Sequence, residues 1–202
     1  MIVKVAVAQM NSIVGDLAGN ARLILDFAAQ AVAEDADILV TPECSLVGYP
    51  PEDLLLRSAF LVQTELALQS LAQQLARWPD LHVLVGHPHA QGELRFNAVS
   101  RLHGGEIKQT YFKQSLPNDA VFDEKRYFSS AQEAQVFDVK GCRFGINICE
   151  DTWHDDAPRL ARAAGAQVLL APNASPFHAN KLDLRIDVMR KHVCELGMSL
   201  VL

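Results

Sequence analysis

Four reactive side chains fall just past short apolar runs. Glu43 follows Ile38 to Thr41, and Lys113 follows Glu106 to Tyr111. Cys149 follows Phe144 to Ile148, and Ser175 follows Val168 to Ala171. If those runs are strands of an open α/β sheet, all four sit at strand ends, where such sheets gather functional groups. A cysteine, a glutamate and a lysine make a complete set for acyl transfer. The thiolate attacks, the carboxylate takes the proton and later returns it to a leaving amine, and the ammonium favours the thiolate and faces an oxyanion. No histidine has to take part. Of the four cysteines, Cys149 stands where an apolar strand turns into an acidic loop. Cys142 opens that strand, Cys194 lies on the final helix, and Cys44 lies beside Glu43 with no basic neighbour in sequence. Those three read as inert thiols.

The elements that must position these groups are legible in outline. Ile2 to Gln9 is a β-branched run. Residues 21–34 carry apolar residues at helical spacing, with Asn20 as the expected N-cap. Ile38 to Thr41 completes a β-α-β opening, the unit of a parallel sheet. A second helix is expected near Ala59 to Trp78 and a third strand at Val83 to Gly86. The pattern then changes to two hairpins. Phe96 to Leu102 turns at Gly104-Gly105 into Glu106 to Tyr111, and Val136 to Val139 turns at Lys140-Gly141 into Cys142 to Ile148. Helix, strand, helix and strand follow, ending at Ser199 to Leu202. The sum is a mixed α/β domain with strands apolar on both faces and helices expected on one side. No G-x-G-x-x-G or G-x-x-x-x-G-K-[ST] run is present to cradle a phosphate.

Composition narrows the class further. The chain has 202 residues, half of them hydrophobic, which is enough for one core and excludes intrinsic disorder. A net charge of -6 argues against nucleic-acid binding. No apolar run approaches the roughly 18 residues of a membrane span, and the amino terminus reads as a strand and not a leader, so a cytoplasmic protein is expected. The cysteines match no zinc or redox spacing. His82, His87 and His89 lack a carboxylate or thiolate at ligand spacing, so no metal is expected, and His87-Pro88-His89 reads as a loop.

Six segments carry a resemblance. They are Thr41-Pro42-Glu43 with Gly48-Tyr49-Pro50-Pro51-Glu52-Asp53-Leu54, then Lys113-Gln114-Ser115-Leu116-Pro117-Asn118 with Val121 to Phe128. Gly145 to Trp153 follows, then Asn173 to His178 with Lys181 and Arg185. Together they resemble the nitrilase superfamily of carbon-nitrogen hydrolases, and more closely the amino-terminal glutaminase domains of glutamine-dependent NAD synthetases. The resemblance implies an α-β-β-α sandwich, with residues 1–202 as one glutamine amidohydrolase domain, truncated at its carboxyl end. It implies Glu43 as general base, Lys113 as oxyanion and positioning group, and Cys149 as nucleophile. Ser175 and Lys181 match positions that hold glutamine. Asp119 stands where the family usually places a glutamine-contacting tyrosine, and Glu124 is a candidate for a second glutamate found in this loop. No cofactor is implied for the glutaminase step. ATP and Mg belong to a synthetase domain absent from these residues, which would be the partner, in a homo-oligomer when full length. A stand-alone amidase acting on another small amide, and a non-catalytic fragment that docks to a synthetase, remain open alternatives.

Overall fold

The computed structural model describes residues 2–119 and 121–202. In chain order the elements are β1 (Val5–Val7), α1 (Leu17–Ala33), β2 (Ile38–Val40), α2 (Ser58–Leu75), β3 (His82–Gln91), β4 (Leu94–His103) and β5 (Glu106–Phe112). Then come β6 (Val136–Val139), β7 (Cys142–Ile146), α3 (Asp156–Ala163), β8 (Val168–Leu170), α4 (Leu182–Leu196) and β9 (Ser199–Val201). They form two sheets, ordered β1-β2-β3-β4-β5 and β6-β7-β8-β9. β1 to β3 are parallel and β3 to β5 antiparallel, while β6 pairs antiparallel with β7 and β7 to β9 are parallel.

Alternation along the strands decides the layering. Successive side chains point to opposite faces. Ile38, Val40 and Leu84 pack inward against Phe137, Phe144, Ile146 and Leu170 of the second sheet. Leu39, Val83 and Val85 point outward onto Ile24 and Ala28 of α1 and Leu68 and Leu71 of α2. On the opposite outside, Leu169 and Met198 meet Ala161 of α3. Strands apolar on both faces are therefore correct, because each sheet is covered twice. Helices on one side only is not. The hairpins split the strands into two sheets, and each sheet has its own helical cover, giving a nitrilase-like α-β-β-α sandwich.

Two local expectations also change. The N-cap of α1 is Asp16, whose side chain accepts the Gly19 N–H at 2.9 Å. Asn20 is buried one turn further in. Its Nδ2 donates to the Ile13 and Leu46 carbonyls at 2.8 and 3.1 Å, and its Oδ1 accepts the Ile13 N–H at 2.9 Å. A capping residue type is used here to hold the loop that carries Glu43. His87-Pro88-His89 lies within β3, not in a loop. Proline is tolerated because β2 pairs with β3 only as far as Leu84, so among the described residues Pro88 has no strand beside it on that side.

β3 also shapes the site. A Cβ on Gly86 would lie 2.4 Å from the Pro42 carbonyl oxygen and 2.5 Å from the Cys44 nitrogen. Only glycine lets β3 pass directly beneath the Glu43 turn. Gly86→Ala is expected to displace that turn, costing roughly 1–3 kcal/mol in urea unfolding as an overpacked core site. Activity should fall with it. A variant matching the parent in both would contradict the close fit.

Candidate active site

Glu43, Lys113, Cys149 and Ser175 all lie past strand ends, after β2, β5, β7 and β8 respectively. The two sheets bring them together. Lys113 is fully buried, and its Nζ lies 2.7 Å from Glu43 Oε1 and 2.9 Å from both oxygens of Glu124. Glu43 Oε1 also accepts from Asn97 Nδ2 at 2.7 Å, and its Oε2 accepts the Ala174 N–H at 3.2 Å. Glu124 Oε1 accepts from the Tyr49 hydroxyl at 2.9 Å. Glu124, the loop glutamate, is thus part of the same buried cluster.

Two carboxyls share one ammonium in a space nearly closed to water. Burial disfavours the second negative charge, and Glu43 repels it, so Glu124 is pushed up to about 7 despite Lys113. For Lys113, burial alone would favour the neutral amine, but the Glu43 and Glu124 carboxylates outweigh it and hold the side chain charged. Glu124 binds its proton more tightly folded than unfolded, where a value near 4.5 applies. Its contribution to stability is therefore lost as pH rises through about 7. Glu124→Gln lacks that titration. From pH 4.5 to 7.5 the variant should gain about 2–3 kcal/mol relative to the parent in urea unfolding. A pH-independent difference would contradict the raised proton affinity of Glu124.

Cys149 opens a short 3-10 turn directly past β7 and takes φ 44°. A non-glycine residue in the left-handed region costs of order 1–3 kcal/mol and aims its side chain out of the strand direction. The thiol lies 3.3 Å from Ser175 Oγ. Burial pushes the thiol up to about 12; Glu43 adds to this, while Lys113 and Ser175 oppose it. At neutral pH it is a thiol that needs a base. Its own N–H donates to the Pro172 carbonyl at 3.0 Å, so that amide is not free for an oxyanion.

The remaining sequence candidates lie further out. Lys181 is exposed, with its Nζ 4.9 Å above the Trp153 ring. Asp119 is exposed, and only its backbone carbonyl is engaged among the described contacts, by the Phe122 N–H. The Gly48 to Leu54 and Val121 to Phe128 runs face each other across a cavity of about 280 Å³ walled by Tyr49, Asp53, Phe122, Glu124 and Phe128. Residue-by-residue reading missed Asn97 and the place of Tyr49. Asn97 is a fully buried amide in an otherwise apolar stretch of β4. That mismatch was the available signal. Among the described residues, no group of three or more His, Cys, Asp or Glu is arranged to hold a metal ion. Likewise no helix there is long and apolar enough to cross a membrane.

A two-sheet sandwich thus gathers a buried Glu-Lys pair and a cysteine on a strained turn at neighbouring strand ends. The carbon-nitrogen hydrolase family model matches residues 4–193, and the chain belongs to that family. It is therefore a hydrolase of carbon-nitrogen bonds. It is 44% identical over 215 aligned residues to the glutamine-dependent NAD(+) synthetase of a Synechocystis species, a match covering 98% of this chain and 38% of that protein. The structure of glutamine-dependent NAD+ synthetase from Acinetobacter baumannii superposes with a TM-score of 0.91 at 32% identity, over 98% of this chain and 37% of that one. An amidase from Nesterenkonia shares the fold, with a TM-score of 0.85 at 24% identity over 98% of this chain and 74% of that one. The chain spans little more than a third of the length of the curated relatives it matches.

Proposed function

We propose that residues 1–202 form a glutaminase domain that hydrolyses the side-chain amide of glutamine to glutamate and ammonia. The ammonia would serve a synthetase domain that amidates nicotinic acid adenine dinucleotide to NAD. The observation that carries the chemistry is Lys113 clamped between Glu43 and Glu124, with the Cys149 thiol within reach of their charges. The observation that favours glutamine is the match, over 98% of this chain, to glutamine-dependent NAD synthetases at 32–44% identity.

In this reading Glu43 removes the Cys149 proton as Sγ attacks the carboxamide carbon. Lys113 faces the oxyanion, together with a backbone N–H of the turn other than that of Cys149. Glu43 returns the proton to the amine, ammonia leaves, and a glutamyl thioester remains. Water gives a proton to Glu43, attacks the thioester, and glutamate departs as the thiol is restored. Glu124 holds the Lys113 ammonium in line. Ser175 borders the thiol, and Lys181, exposed over Trp153, is assigned to the substrate carboxylate. The glutaminase step needs no cofactor; ATP and Mg would serve the synthetase step.

A second reading, hydrolysis of another small amide, rests on Asp119, which supplies no aromatic face to glutamine. Ammonia release from glutamine, asparagine, acetamide and propionamide separates the two. Glutamine should lead in kcat/KM by at least about 100-fold, as a site with hydrogen bonds to both ends of a substrate requires. A preference for a simple amide would establish the second reading.

A further inference from the structure

Asp151 lies two residues after Cys149 and is fully buried. Each of its oxygens accepts two hydrogen bonds. Oδ1 takes the Gln114 N–H at 2.9 Å and the Ser115 N–H at 2.7 Å. Oδ2 takes the Ile148 N–H at 2.9 Å and the Tyr111 hydroxyl at 2.7 Å. Gln114 directly follows Lys113, and Ile148 directly precedes Cys149. One carboxylate therefore ties the chain leaving β5 in one sheet to the chain leaving β7 in the other.

The turn around Cys149 depends on the same residue. The Asp151 N–H donates to the Ile148 carbonyl at 3.0 Å, closing the turn from its other side. Thr152 Oγ1 donates to the Cys149 carbonyl at 2.7 Å. Tyr111, fully buried, accepts in turn from Asn147 Nδ2 at 3.1 Å. The Asp151 bonds to Ile148 on one side and the Thr152 bond to the Cys149 carbonyl on the other thus hold the left-handed conformation at Cys149.

We infer that Asp151 is a positioning residue, which fixes the separation of Lys113 and Cys149 across the sandwich and holds the nucleophile's turn without touching substrate. The inference deepens the hydrolytic reading and rests on it. A misplacement of about 1 Å between reacting groups costs on the order of 100-fold in rate, so the clamp has a measurable consequence.

Asp151→Asn keeps the shape but presents an amide NH2 to one pair of donors, which it cannot accept. Tyr111→Phe removes a single donor. Both are assayed in two ways. The first is the alkylation rate of Cys149 by iodoacetamide at pH 7, followed by site-resolved mass spectrometry. The second is kcat and KM for glutamine, normalised to the fraction of Cys149 that alkylates. We expect Asp151→Asn to lower kcat per competent thiol by about 30–100-fold with KM within about threefold, and to slow alkylation several-fold. Tyr111→Phe should lose about 3–10-fold in kcat. Per-thiol kcat and alkylation rate within twofold of the parent would overturn the inference, whatever happens to the melting temperature. If Asp151→Asn does not fold, Tyr111→Phe decides on the same criterion. If the parent does not turn over glutamine, the substrate reading fails, and the alkylation arm still decides the positioning role because it uses no amide.

Discussion

Cys149→Ala is expected to lower glutamine hydrolysis by at least about 10⁴-fold while the domain stays folded. Loss of a covalent nucleophile removes both half-reactions, and variants of this kind in cysteine and serine hydrolases retain only the catalysis that binding and oxyanion stabilisation supply. No other thiol can substitute. Cys44 is fully buried, and burial together with the Glu43 and Glu124 charges pushes its thiol well up. Cys142 is half-buried and Cys194 exposed on α4. Changing Cys149 should also relieve little structure, because its side chain makes one polar contact, to Ser175 Oγ at 3.3 Å. Ammonia assays on the Ala variants of Cys149, Cys142 and Cys194 check this directly. Substantial turnover by Cys149→Ala would remove the thiol from the mechanism.

Lys113→Met carries the second large effect, and it acts on stability and rate together. Lys113 is fully buried, and its ammonium is the cation shared by Glu43 and Glu124. Without it two carboxyls face each other with the neutral Asn97, Tyr49 and Ala174 N–H donors left to them. Breaking a buried ion pair by removing one partner typically costs 3–5 kcal/mol, and a loss of about that size is expected in urea unfolding at pH 7.5. The loss should shrink as pH falls towards 7, because without the ammonium Glu124 binds its proton more tightly still and the pair stops repelling. Turnover should fall by roughly 10²–10³-fold through the missing oxyanion partner. The double variant Lys113→Met with Glu124→Gln separates the two roles. It should recover much of the stability and none of the rate. Recovery of activity in the double variant would show that Lys113 serves folding alone.

The contrast between legible and hidden features follows the range of the interactions. The β-α-β opening and both hairpins showed in the sequence because β-branched runs, Gly104-Gly105 and Lys140-Gly141 are local signals. The strand-end positions of Glu43, Lys113 and Cys149 followed from them. The split into two sheets did not, because a strand's pattern states that both faces are buried and not which partner buries them. Asn20 misled because its residue type suits a cap, whereas its use is a long-range bond to Leu46. Pro88 misled because a central strand normally excludes proline, and the early end of β2 is invisible locally. Asn97 and Asp151 were hidden for a related reason. Each gains its meaning from bonds to chain segments 27 to 54 residues away. Glu124 lies in an irregular loop, where spacing carries little weight until the cavity between the Tyr49 and Phe122 loops is seen.

The most direct test of the proposed reaction is intact-protein mass spectrometry of the chain quenched in acid during turnover of glutamine. The mechanism predicts a species heavier by one glutamyl group, attached at Cys149 after digestion, cleaved by hydroxylamine, and absent in Cys149→Ala. Ammonia release with no acylated Cys149, even when deacylation is slowed at low pH, would contradict a thioester pathway and with it the role assigned to the Glu43, Lys113 and Cys149 cluster.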